Sequence, residues 1–216
     1  MLPAFSFVGP HKVGKTTVLC GVIKELSRRG LRVGVIKSSK EASISEKPGS
    51  DTVRLAEAGA KEVIFWGQIK TVIFKDSLPK EDLSFWTLVS RHFSEVDLVL
   101  VEGLKRLVSL PKIEISRREQ KETPFFRQGL PGVIAVAADY PVQGLPCFAL
   151  DDYQGLADFI LSRLPKRHSK VELIVDGRPI PLTRFVEEAL SGTIRGFLRS
   201  LRGIRDLEKI EIRLKS

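Results

Sequence analysis

Residues 9–17 read GPHKVGKTT, and the apolar run Ala4-Phe5-Ser6-Phe7-Val8 stands directly before them. Gly9, Gly14, Lys15 and Thr16 fit the spacing G-x-x-x-x-G-K-[ST]. The flanks constrain the fold more than the motif does alone. A short β-prone run leads in, and the amphipathic stretch TTVLCGVIKELSRR leads out. In the order strand, glycine-rich turn, helix, the loop's N–H groups and the positive helix end can surround phosphate oxygens. The residues in position to do so are Gly9, His11, Lys12, Val13, Gly14, Lys15, Thr16 and Thr17. Lys15 would reach the β- and γ-phosphates, and the Thr16 hydroxyl would bind Mg²⁺. The expectation is a nucleoside triphosphate site.

The next segments extend this unit. Val18, Val22, Ile23 and Leu26 mark one face of a helix that Gly30 is placed to end. Residues 31–36 (LRVGVI) are nearly continuous in apolar character, as expected of a parallel strand covered on both faces. Strand, loop, helix and strand form one right-handed crossover. Residues 37–51 are polar and carry Pro48-Gly49, which reads as a loop at the carboxyl end of the second strand, where open α/β sheets bind ligands. The loop from Lys37 to Asp51 is thereby a candidate part of the nucleotide site; an ordinary solvated connection is the competing reading. Asp51 is also placed to cap a short helix closed by Gly59. Residues 62–66 and 71–74 read as strands around a turn near Gly67. Residues 80–93 read as an amphipathic helix whose Trp86 and Phe93 belong to the core.

Residues 97–105 (DLVLVEGLK) form the second informative stretch: four apolar residues followed by Glu102-Gly103. This is the pattern of a buried strand that delivers a carboxylate to the phosphate site. Glu102 could hold Mg²⁺ or orient an attacking water, and Gly103 would let the backbone approach a phosphate closely. Lys15 and Glu102 are thus the candidate catalytic pair, and Thr16 and Glu102 the candidate metal ligands. Two more strands are expected at 111–115 and 132–137, the second ending in Ala138-Asp139. A carboxylate just past a strand tip can accept two hydrogen bonds from guanine, a donor pair that adenine lacks; a simple turn or cap Asp is the competing reading. A last short strand at 146–150 and a helix capped by Asp151 or Asp152 would close the domain near Pro165.

The fold class read from this order is α/β, a P-loop NTPase-type, mostly parallel sheet flanked by helices. Residues 1–165 form that domain, and 166–216 form a small α+β (ββαβ) carboxy-terminal unit. In that unit 171–175 alternate, Asp176-Gly177 supplies turn chemistry, and 180–182 continue a hairpin. Thr183 would cap a helix with the apolar stripe Phe185, Val186, Leu190, Ile194, Phe197, Leu198 and Leu201, and 209–214 would add a final strand. So small a unit buries little alone, so it is expected to dock on the first domain or pair with a second copy. The linker at 165–170 contains His168, expected in solvent rather than on a metal.

Composition narrows the functional classes. The formal charge is +9, yet no RNA-binding aromatic signature, zinc finger or basic arm accompanies it, so an anionic small molecule accounts for it more simply than nucleic acid. No apolar run approaches the ~20 residues that span a bilayer, and no secretory signal is read at the amino terminus. Cys20 and Cys147 lie far apart and are expected as buried small apolar residues in a reducing cytoplasm.

The order of GPHKVGKTT, GLRVGVIK, EKPGSDTVRLAEAGA, DLVLVEGLK, PKIE and VIAVAADYP resembles the amino-terminal domain of the molybdopterin-guanine dinucleotide biosynthesis protein B (MobB) family, over roughly residues 4–164. The Lys-Pro-Gly-x-Asp segment followed by Ala-Gly-Ala, together with Val-Glu-Gly-x-Lys, is far more specific than the phosphate loop. The resemblance implies a GTP- and Mg²⁺-binding protein with weak or partner-stimulated GTP hydrolysis. It implies a role in joining GMP to molybdopterin or in delivering the product, with molybdopterin or its guanine dinucleotide as a further ligand. The implied partners are a molybdenum cofactor guanylyltransferase (MobA-like) and a second copy of the chain. By position, Gly14, Lys15, Thr16 and Thr17 would bind phosphates and Mg²⁺, Glu102 and Gly103 would face the γ-phosphate, and Asp139 would lie near guanine. Lys47, Gly49 and Asp51 fall in the family's loop near the nucleotide. The chain departs from the family where Ser38-Ser39-Lys40 follow Ile36-Lys37 in place of histidines. A metal-insertion GTPase and an ATP-dependent small-molecule kinase or ligase of related fold are the alternatives; a charge-driven nucleic-acid-binding module is a third.

Overall fold

The computed structural model describes residues 2–38, 50–75, 81–165, 171, 173–175, 178–202 and 210–212. In chain order the elements are β1 (Ala4–Val8), α1 (Lys15–Arg28), β2 (Val33–Lys37), α2 (Asp51–Glu57), β3 (Glu62–Trp66), β4 (Thr71–Lys75), α3 (Asp82–His92) and β5 (Leu98–Glu102). There follow β6 (Lys112–Ser116), β7 (Val133–Ala138), β8 (Cys147–Phe148), α4 (Tyr153–Leu161), β9 (Leu173–Val175), β10 (Arg178–Ile180) and α5 (Arg184–Ser200). Cα packing divides the chain into two compact units, Leu2–Arg163 and Leu164–Ser216.

The first unit is built on a six-stranded sheet ordered β2-β5-β1-β6-β7-β8, in which every pairing is parallel. The central strands are buried along their length because both faces are covered, and their sequences are correspondingly apolar throughout. The pleat sorts the side chains of β5. Val99 and Val101 join Ala4, Phe85, Val89, Leu107 and Leu110 in a cluster that α3 closes, with Trp86 and Phe93 packed against it. Leu98, Leu100 and Glu102 therefore point to the opposite face, where α1 packs. Helix α4 lies against α1, and the carboxylate of Asp152 caps α4 by accepting the Gly155 N–H at 2.8 Å. Gly30, at φ 86°, ends α1 with its N–H on Ser27 O. The chain leaves β1 toward β2 and β5 on one side and adds β6, β7 and β8 on the other, so the carboxyl end of β1 is a topological switch point.

Several expectations change in this frame. β2 is an edge strand, and Val35 is 42% exposed, so it is not covered on both faces. Its apolar run reflects pairing with β5 and one packed face only. Ser50 occupies the N-cap of α2 and Asp51 is its first residue. Cys20 and Cys147 are both exposed rather than buried; Cys20 sits between the inward-facing Leu19 and Val22 on the solvent side of α1. β3 and β4 pair antiparallel as a separate ribbon outside the main sheet.

In the second unit β9 and β10 form an antiparallel pair, and α5 follows from Thr183, which holds the N-cap position without a side-chain hydrogen bond. Phe185, Val186, Phe197 and Leu201 of its stripe are exposed. Residues 210–212 are not in a strand; the rest of the expected last strand, the turn at Asp176-Gly177 and His168 lie outside the described residues.

Strand β6 carries two fully buried charges, Lys112 and Glu114, on the same side of its pleat. Lys112 Nζ donates to Leu107 O at 2.7 Å and Leu110 O at 2.9 Å, closing the turn that precedes the strand. Glu114 accepts the N–H groups of Phe125 at 2.6 Å and Phe126 at 2.7 Å. Burial pushes the Glu114 pKa up, and the two N–H groups oppose that rise. This carboxylate fastens the far end of the 117–127 loop to the sheet. A Glu114→Gln protein keeps one acceptor and turns an NH₂ toward the other N–H, so it should lose about 1–3 kcal/mol of stability. Urea unfolding reads that loss; an unchanged midpoint would show that Glu114 does not hold the loop.

Candidate functional site

The loop after β1 has a backbone that its sequence alone allows. Gly9 has φ 151°, and a Cβ there would stand 2.4 Å from Ile115 O, so only glycine fits beside β6. Gly14 has φ 102° and is the N-cap of α1, with no side-chain cap and no acidic residue in the first turn. The first N–H groups of α1 therefore have no intrahelical acceptor and point outward with the positive end of the helix dipole. Val13 is buried and anchors the loop, while His11, Lys12, Thr16 and Thr17 are exposed. Lys12 takes a left-handed conformation at φ 59°.

Lys15 folds back over this loop, its Nζ donating to Pro10 O at 2.6 Å and Gly9 O at 3.1 Å. Burial lowers its pKa, and Glu102 is the largest influence in the other direction. The register of the sheet explains that proximity: Glu102 at the end of β5 pairs with Phe7 of β1 on one side and Lys37 of β2 on the other. Thr16 Oγ1 donates to Glu102 Oε2 at 2.8 Å, and Lys37 Nζ lies 3.9 Å from Glu102 Oε1. The Glu102 side chain is only 13% exposed. Gly103, at φ 97°, donates its N–H to Phe7 O at 2.9 Å, and its carbonyl accepts the Ser6 hydroxyl. Two hard oxygen donors, Thr16 Oγ1 and the Glu102 carboxylate, thus stand within hydrogen-bond distance beside a loop that presents N–H donors. That donor set suits Mg²⁺, which takes one or two protein oxygens and completes its shell with water and phosphate.

The structure therefore brings Gly9, Gly14, Lys15, Thr16, Lys37, Glu102 and Gly103 to one place. Asp139 lies just beyond β7, where Oδ1 accepts the Arg118 N–H at 2.7 Å and Oδ2 is 3.8 Å from Arg117 Nη1. Asp51 is not joined to this group by any contact among the described residues; its side chain is 95% exposed and pairs with Arg54 at 3.7 Å. Lys47 and Gly49, with Ser39 and Lys40, lie outside the described residues.

Arg117 is the residue that sequence reasoning missed. Its Nε donates to Val13 O in the loop after β1 at 3.0 Å, so one guanidinium ties that loop to Asp139. The signal was present: Arg117 follows Ser116 at the carboxyl end of β6, the strand next to β1. A strand-end arginine there has the reach to cross the loop.

Comparison with known proteins shows the family. The family model described as "MobB: Molybdopterin guanine dinucleotide synthesis protein B" matches residues 4–139. The chain is 34% identical to the molybdopterin-guanine dinucleotide biosynthesis adapter protein of Escherichia coli, over 78% of this chain and 97% of that protein. It is 26% identical to a putative adapter protein of the same description from Methanocaldococcus jannaschii, over 96% of this chain and 95% of that protein, so this likeness runs into the second unit. The crystal structure of Bacillus subtilis MobB superposes with a TM-score of 0.58 at 26% identity, covering 77% of this chain and all of that one. Since the family model matches residues 4–139, well over half of the chain, and a relative is 34% identical over 97% of its own length, the chain belongs to the MobB (molybdopterin guanine dinucleotide synthesis protein B) family.

Proposed function

We propose that the protein binds GTP with Mg²⁺ at residues 9–17 and serves as an adapter in the biosynthesis of molybdopterin guanine dinucleotide. The observation that carries this reading is the meeting of Lys15, Thr16 and Glu102 at the adjacent ends of β1 and β5, in a chain whose relatives are named for that biosynthesis. Lys15 would exchange its two loop carbonyls for phosphate oxygens, and the incoming charge would favour its ammonium form. The outward N–H groups of α1 and the loop would hold the remaining phosphate oxygens. Thr16 and Glu102 would hold Mg²⁺, whose chemistry is to neutralise charge on the β- and γ-phosphates. Glu102 would also orient a water. A single carboxylate supplies little of the barrier reduction that GTPases draw from a partner's cation, worth ~10³–10⁵ in rate. Hydrolysis is accordingly slow alone and stimulated by a partner.

In this reading Asp139 faces guanine, its carboxylate already aligned by Arg118 N–H and Arg117. The partner is the molybdenum cofactor guanylyltransferase, and the molybdopterin product is the shared ligand. The protein works in the cytoplasm; among the described residues no helix is long and apolar enough to cross a membrane. It acts as a homodimer, a reading supported by the β3–β4 ribbon. Ile64, Phe65, Trp66 (88% exposed), Ile69, Val72 and Ile73 stand open to solvent there. A two-stranded ribbon with so much apolar surface is marginal alone and gains stability when covered.

Lys15→Ala should abolish GTP binding in a calorimetric titration of protein whose cooperative unfolding transition shows that it is folded. Unchanged affinity would remove the phosphate-loop assignment. Sedimentation of the wild-type chain should show a dimer that Trp66→Glu converts to monomer. A monomeric wild type, or a variant dimer of equal strength, would refute the ribbon as the interface.

A further inference from the structure

Next to the phosphate loop the connection from β6 to β7 encloses an open cavity of about 500 Å³. Four cations line it, Arg117, Arg118, Lys121 and Arg127, against one carboxylate, Glu122. The walls are held by bonds that have nothing to do with the proposed nucleotide contacts. Gln120 Oε1 accepts from Arg117 N at 3.0 Å and from Ser116 Oγ at 3.1 Å, and Gln120 Nε2 donates to Glu122 O at 2.8 Å. Tyr140, on the opposite wall, hydrogen-bonds Ser116 Oγ at 2.6 Å. The buried Glu114 fastens the far end through Phe125 and Phe126.

The cations are differently engaged. Arg117 bridges Val13 O and Asp139, and Arg127 lies over the Phe126 ring with 5.6 Å to its centroid. The side chains of Arg118 and Lys121 make no ion pair among the described residues. Holding like charges around one depression is unfavourable unless an anion offsets it. A purine base, with neutral edges and apolar faces, would not satisfy such a lining. A dianion with several acceptor oxygens would, because guanidinium and ammonium donors match phosphate oxygens. The cavity adjoins the loop after β1: Arg117 touches both, and Glu122 is near enough to Lys15 to oppose, in part, the fall in its pKa that burial causes.

We propose that this cavity is a second anion site that takes a phosphate monoester alongside the nucleotide, with Arg118, Lys121 and Arg127 as its free-facing donors. It deepens the adapter reading by giving the phosphorylated non-nucleotide ligand a place of its own, but the site itself stands on the cavity's own residues. The probe is phenyl phosphate, titrated calorimetrically into the full chain with and without saturating GTP and Mg²⁺. The expected result is binding in both conditions, with GTP still bound at one per chain. The double variant Lys121→Gln/Arg127→Gln should weaken phenyl phosphate at least tenfold, as expected for loss of charge-assisted contacts, and leave GTP affinity unchanged. In Lys15→Ala, phenyl phosphate binding should persist although GTP binding is gone. No phenyl phosphate binding at millimolar concentration, competition between phenyl phosphate and GTP, or an undiminished Lys121→Gln/Arg127→Gln variant would each overturn the proposal. Failure of the nucleotide reading shows differently, as absent GTP binding to the wild type with phenyl phosphate binding intact.

Discussion

Parallel pairing of β5 with β1 is the constraint on which the site depends. The register sets Glu102 opposite Phe7, two residues before the glycine where the chain turns into the phosphate loop. The pleat turns its side chain to the face on which α1 begins. One backbone alignment thereby fixes the distance from a carboxylate to Thr16, to Lys15 and, through β2, to Lys37. A slip of one residue would send Glu102 to the α3 side and bury a charge in the Val99, Val101, Phe85 cluster.

The other half of the site hangs from β6. Lys112 and Glu114 would be costly in a central strand if they lacked partners, because a buried charge needs hydrogen bonds to replace water. Each finds two backbone partners, and each thereby fixes a connecting segment rather than another side chain. Fixing the 117–127 loop matters because Arg117 and Arg118 begin it. Through them the loop reaches Val13 on one side and Asp139 on the other. The electrostatic environment beside the phosphate loop is thus a consequence of a buried carboxylate that no solvent touches.

Much of this was legible in the chain, and the exceptions have physical causes. The glycine-rich turn after β1, α1, and β5 with Glu102 at its end could be read because glycine spacing and an unbroken apolar run ending in Glu-Gly are local signals. Whether an apolar run is central or at an edge depends on strand order, which no local signal carries; hence β2 was expected to be covered on both faces and is not. Ser50 and Asp51 are both good cap residues, and one position of offset separates them. Cys20 reads as apolar by residue type, but the helix face it lands on is set by its neighbours Leu19 and Val22. Arg117 and Glu114 escaped because their partners, Val13, Phe125 and Phe126, become neighbours only when β6 docks beside β1 and its loop folds back. Asp139 was placed just past a strand, as it stands, but its bonds to Arg118 N–H and Arg117 come from the folded-back loop and carry no local signal.

The most direct test of the account is a calorimetric comparison of GTP with ATP, each with Mg²⁺, on the wild-type chain and on Asp139→Asn. The account predicts one GTP per wild-type chain, a clear preference for GTP over ATP, and a variant in which GTP affinity falls while ATP affinity does not. Wild-type protein that binds ATP as tightly as GTP, or a variant that loses both equally, would contradict the guanine-specific adapter reading.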